Sequence, residues 1–76
     1  MITTFVLLGC EPGFEKQIKN EISCIPEVID IDITYGVYDI VCKIETTNKK
    51  SLVDIILNDI RRIPKIKETQ TLPIFP

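Results

Sequence analysis

The feature that most constrains this chain is a duplication. Phe14, Ile18, Ile22 and Ile25 recur at spacings of four, four and three, and Leu52, Ile56, Ile60 and Ile63 repeat the pattern 38 residues later. That spacing gathers apolar side chains on one stripe of a helix. The exits repeat as well: Ile25-Pro26-Glu27-Val28 corresponds to Ile63-Pro64-Lys65-Ile66. Proline ends each helix, because it lacks an amide donor and its ring clashes with the preceding turn. Thr47 or Asn48 can cap the second helix.

Strand patterns flank both helices. Residues 2–10 are apolar on both parities, with Phe5 and Leu7 on one side and Val6 and Leu8 on the other, until Glu11-Pro12-Gly13 ends the run. A strand covered on both faces lies inside a sheet. In residues 28–34, Ile29, Ile31 and Ile33 alternate with Asp30 and Asp32, which predicts a strand with one apolar face. Tyr35-Gly36-Val37 is a tight reversal. The next strand, residues 38–45, puts Tyr38, Ile40, Cys42 and Ile44 on one face and Asp39, Val41, Lys43 and Glu45 on the other. Residues 66–75 form the last strand. Pro73 within it argues for an edge, since proline donates no ladder hydrogen bond.

Two strand–helix–strand halves joined by a hairpin predict an α+β, ferredoxin-like βαββαβ fold. Its four-stranded antiparallel sheet carries both helices on one face, and residues 1–76 form one domain. The other face is left uncovered. Alternation assigns Asp30, Asp32, Val41 and Lys43 to it, with one apolar parity of the first strand. If Ile66, Leu72 and Ile74 face the helices, Thr69 and Thr71 join the uncovered side. An apolar stripe with a polar rim reads as an interface, so two such sheets are expected to pack face to face. The composition agrees. The chain is 45% hydrophobic with fifteen isoleucines, more than the core of a 76-residue domain can absorb.

Other function classes find little support. The net charge is −2, and the Lys49-Lys50 and Arg61-Arg62 pairs are diluted by acidic neighbours, so no polyanion footprint exists. There is no histidine for acid–base work near neutrality, no phosphate loop and no nucleophile–base set, which argues against an enzyme. Cys10, Cys24 and Cys42 form an odd set without a CxxC, so no metal or other cofactor is expected. All three sit in apolar patterns and read as small buried hydrophobes of a reducing compartment. The run at residues 2–10 is too short to span a membrane and lacks the basic start of a signal peptide, which leaves a cytoplasmic location. Asp30 and Asp32, about 7 Å apart by strand rise, form a carboxylate pair that could bind a cation, but a solvated face or partners for Lys43 is the favoured reading.

Two segments admit a binding role beside a plain structural one. In Tyr35-Gly36-Val37-Tyr38-Asp39, glycine serves the reversal. The same tip also exposes backbone amides beside a carboxylate and two aromatics. A zwitterion can use all three: its carboxylate on the amides, its ammonium on Asp39, its side chain on an aromatic wall. Thr69 and Thr71 offer two hydroxyls from one face of a strand, or are there for β-propensity alone.

In order and spacing these motifs resemble a known family. The opening strand leads to Glu11-Pro12-Gly13, a helix ending Ile25-Pro26-x-Val28, and Gly36-x-Tyr38-Asp39. Ile40-Val41-x-Lys43-Ile44-Glu45, a second helix ending Ile63-Pro64-x-Ile66, and Thr69-x-Thr71-Leu72 follow. The chain resembles the effector-binding RAM domain of the leucine-responsive regulatory protein (Lrp/AsnC) family over nearly its whole length. The resemblance implies dimers through sheet packing, rings such as octamers or decamers, and amino-acid effectors bound where dimers meet. It implies ligand contacts at Gly36, Val37, Tyr38, Asp39, Thr69 and Thr71. Tyr35 stands where smaller residues are usual. The 76 residues leave no room for the N-terminal helix-turn-helix of full-length members, so a stand-alone module without direct nucleic-acid contact is expected. Co-assembly with a full-length regulator, as a partner with no ligand of its own, is the alternative. A small dimeric α+β-barrel enzyme would share the fold but needs a reactive group between sheet and helices.

Overall fold

A computed structural model describes residues 1–74. Its order is β1 (Ile2–Cys10), α1 (Glu15–Ser23), β2 (Val28–Ile33), β3 (Ile40–Thr46), α2 (Lys49–Asp54) and β4 (Ile66–Ile74), with α2 running on into a π-helical segment (Ile55–Ile60). The four strands form one sheet in the order β2-β3-β1-β4, with every pair antiparallel. This is the expected βαββαβ topology, with β4 at an edge as Pro73 requires. Phe75, which the sequence places in the last strand, lies outside the described residues. Among the described residues no helix is long and apolar enough to cross a membrane.

The core forms between the sheet and the duplicated stripes. Ile18, Ile22, Leu52, Ile56, Ile60 and Ile63 are buried, and Phe14 and Ile25 pack on the margin. From below, β1 contributes Val6 and Leu8, and β3 contributes Ile40, Cys42 and Ile44. Asn48 caps α2, its Oδ1 accepting the Ser51 amide at 2.8 Å. The second helix departs from the first beyond residue 54. There the Arg61 amide donates to the Ile56 carbonyl at 2.8 Å, five residues back. Ile55 is buried beside Ile56 in this wider turn.

Two bulges overturn parts of the sequence reading. The β2–β3 register slips between Val28 and Asp30. Ile29 is therefore half exposed, and Val28, Ile31 and Ile33 meet the core. The β1–β4 register slips at Gly9/Cys10, opposite Lys67. A one-residue slip turns every later side chain to the other face. Ile66 faces the helices, but Leu72 lies opposite Phe5 and Ile74 opposite Thr3, on the uncovered side. Thr69 and Thr71 lie opposite Leu8 and Val6, so they share the helix side rather than the uncovered one. A third correction concerns the thiols: Cys10 and Cys42 are buried as expected, but Cys24 at the end of α1 is exposed.

The uncovered face is otherwise as read. Asp30 pairs with Lys43 and Asp32 with Val41, while Phe5 and Leu7 lie opposite Lys43 and Val41 on β1. The Lys43 ammonium stands 5.9 Å from the centre of the Phe5 ring. The helix side holds a cost instead. The hydroxyls of Thr4 and Thr46 are buried without a hydrogen-bond partner. An unpaired buried hydroxyl loses its water and gains nothing. Thr4→Val keeps the shape and removes that loss, so it is expected to raise unfolding stability by about 1 kcal/mol, measured in urea.

Burial pushes the Cys42 thiol up from 9.0 to about 11. The unfolded chain therefore ionises Cys42 first as pH rises. The stability that the neutral thiol contributes is complete below pH 9 and is lost as pH climbs towards about 11. The stability gap between the native chain and Cys42→Ala should accordingly narrow across that range. Below pH 9, Ellman's reagent should label Cys24 at once and the other two thiols only on unfolding.

Candidate functional site

The β2–β3 hairpin is a six-residue loop, wider than the tight reversal expected. Its base is closed by the Thr34 amide donating to the Asp39 carbonyl at 2.8 Å and the Thr34 hydroxyl donating to the Tyr38 carbonyl at 2.6 Å. Tyr38 thus belongs to the loop and not to β3, which starts at Ile40. The tip stands in solvent, with Tyr35 fully exposed and Val37 nearly so. Gly36 has φ +157°, a backbone conformation that other residues rarely adopt, although open space surrounds it. The glycine is needed for the chain's path and not for room. Among the described residues, Thr34 and Asp39 are the loop amides that donate to backbone carbonyls, leaving Tyr35, Gly36, Val37 and Tyr38 with free donors within the backbone.

Asp39 fastens this loop to the sheet. Its amide donates to the Leu8 carbonyl at 2.8 Å, and its Oδ2 accepts the Cys10 amide at 2.9 Å. One residue thereby bridges the start of β3 and the end of β1. The second carboxylate oxygen remains for another partner. Beside it lies a cleft of about 460 Å³ lined by Gly9, Cys10, Val37, Asp39, Lys67 and Glu68. Burial is the main cause that raises the Cys10 thiol above its ordinary value, and the Asp39, Glu15 and Glu11 carboxylates add to it. Lys67 acts in the opposite sense. The cleft is therefore a polar, mostly acidic recess at the end of the uncovered sheet face, suited to a small charged molecule.

The residues singled out from sequence divide between two places. Val37 and Asp39 line the cleft, and Gly36 and Tyr38 sit between and beside them in the loop. Thr69 and Thr71 do not join them, because the β4 bulge turns both to the helix side. Thr69 instead borders a smaller recess with Arg61 and Lys67. Neither tyrosine lines the cleft, so its apolar wall is Val37 and not an aromatic ring. Gly9, Lys67 and Glu68 were missed. The signal was Gly9 itself, since a lone glycine in an apolar strand marks a bulge or a close approach.

A larger groove of about 580 Å³ runs between the two helix exits. Its lining includes Glu21 and Asp59, Ile25 and Ile63, and Pro26 and Pro64, each pair 38 residues apart. It is the seam of the duplication. Of its two isoleucines, Ile63 belongs to the core and Ile25 packs against it. Among the described residues no cluster of three or more metal-ligating side chains occurs.

Residues 3–75 match the family model described as the Lrp/AsnC ligand binding domain. An HTH-type transcriptional regulator of Pyrococcus furiosus is 29% identical over 76 residues, covering 96% of this chain and 51% of that protein. The chain thus spans about half the length of the curated relatives it matches. The crystal structure of the protein PHS023 from Pyrococcus horikoshii is 33% identical, covers 100% of this chain and 92% of its own, and has a TM-score of 0.95. A transcriptional regulator of Neisseria meningitidis, solved as a complex with L-Met, shares the fold with a TM-score of 0.81 at 13% identity, over 99% of this chain and 50% of its own. With the family model covering almost every residue, this chain belongs to the Lrp/AsnC ligand binding domain family.

Proposed function

We propose that this domain is an effector-binding, oligomerising regulatory module that takes a free amino acid at the cleft beside the β2–β3 hairpin. The observation that carries the reading is the Asp39 clamp. It holds one carboxylate oxygen free beside a loop with unused amide donors. An amino acid carries an ammonium and a carboxylate on the same carbon, and these match a carboxylate set beside amides and Lys67. The N. meningitidis regulator, solved with L-Met, supports a ligand of this class. Tyr35 is fully exposed, so it does not fill the cleft in the way a ligand-free assembly partner would favour.

Assembly follows from the uncovered sheet face. Leu72 and Ile74 are nearly half exposed there, beside Phe5, Leu7 and Val41. Two copies packed through this face remove that apolar area from water. The cleft then lies at the rim of the interface, where higher assembly of dimers can complete it. Catalysis plays no part in this reading, since among the described residues the buried side chains between sheet and helices are aliphatic apart from Thr4, Thr46 and two thiols.

Calorimetric titration with the twenty amino acids should yield heat from at least one. Asp39→Asn keeps an oxygen for the Cys10 amide but removes the charge. It should weaken that binding about ten- to a hundredfold, the worth of a charge-assisted hydrogen bond. No heat from any amino acid would refute the ligand. Sedimentation should show at least a dimer that Leu7→Lys dissociates, while Leu57→Lys, on the exposed outer face of the second helix, leaves it intact. A monomeric native chain would refute the assembly.

A further inference from the structure

The cleft holds more negative charge than a simple zwitterion needs. Asp39 suffices for an α-ammonium, and Lys67 with the tip amides suffices for an α-carboxylate. Glu68 is left over. It lies opposite Gly9 across the β1–β4 ladder. A Cβ at position 9 would stand 2.9 Å from the Glu68 Cγ and 3.1 Å from its Oε1. The Glu68 side chain therefore lies flat across β1 at the one place where β1 has no side chain, and its carboxylate is carried into the cleft that contains Asp39. Among the described residues no side-chain hydrogen bond engages it.

Two carboxylates and one ammonium line the cleft, and Glu11 and Glu15 add to the negative field at Cys10. Two like charges facing one cleft repel each other. A ligand with one ammonium relieves only one of them. A ligand with a second cation relieves both. We propose that Glu68, seated over Gly9, is the specificity-determining residue of this cleft and selects amino acids whose side chain ends in a cation. The inference rests on the amino-acid reading above and names the ligand class for the same site. Val37 supplies the apolar wall for the methylene stem of such a side chain.

The test compares L-lysine with L-norleucine, which shares the four-carbon chain and lacks the terminal ammonium. The full chain is titrated with each by calorimetry. Lysine is expected to bind about fivefold tighter, as one added charge pair at an exposed carboxylate implies. Glu68→Gln should collapse that ratio to near one. Gly9→Ala, which displaces the carboxylate without removing it, should lower the ratio as well. Equal binding of lysine and norleucine by the native chain overturns this inference alone. So does a ratio that survives Glu68→Gln. If Glu68→Gln strengthens both ligands equally, Glu68 serves only to neutralise Lys67, and the inference fails. If no amino acid binds the native chain, the underlying reading falls with it.

Discussion

β1 is hydrogen-bonded along both edges, to β3 on one side and β4 on the other, and every other feature is placed by that double ladder. Its even residues Val6 and Leu8 carry the core beneath the helices. Its odd residues Phe5 and Leu7 carry the face that no helix covers. Where the ladder slips, at Gly9 and Cys10, the strand stops acting as a scaffold and starts to form a site. There Asp39 ties the hairpin loop down, and Glu68 crosses the glycine.

This arrangement divides the work between the two sides of one sheet. The helix side stabilises the monomer, with Ile18, Ile22, Ile40, Ile44 and Ile60 wholly buried. A domain of this size gains little surplus from one such core. It also carries two buried hydroxyls without partners. Leu72 and Ile74, beside Phe5 and Leu7, leave further apolar area on the opposite side, and under the proposed reading association and stability draw on that face. The cleft sits at the end of that face. Under the proposed reading, a ligand in the cleft biases assembly without reshaping the core.

Much of the fold was legible because it rests on local periodicity. The stripes Phe14-Ile18-Ile22-Ile25 and Leu52-Ile56-Ile60-Ile63 announce two helices, and the two Ile-Pro exits fix their ends. Pro73 marks an edge strand before any pairing is known. The alternation of Asp30, Asp32, Val41 and Lys43 identifies the uncovered face. The candidate site was less legible. Asp39 stood out through its place after a glycine turn. Lys67 and Glu68 did not, because they lie 28 residues or more further along the chain and reach Asp39 only through the sheet.

The sequence by itself determined the element order, the helix stripes and the excess of apolar surface, since these follow from spacing and composition. Only the tertiary structure decided which way the side chains beyond a bulge point. Ile29 turned outward, Leu72 and Ile74 went to the uncovered face, and Thr69 and Thr71 went to the helix side. The physical reason is that a strand's two faces alternate with period two. One extra residue, set by pairing with a distant strand, inverts everything after it. The same slip brings Glu68 over Gly9, and no local pattern in either strand foretells that contact.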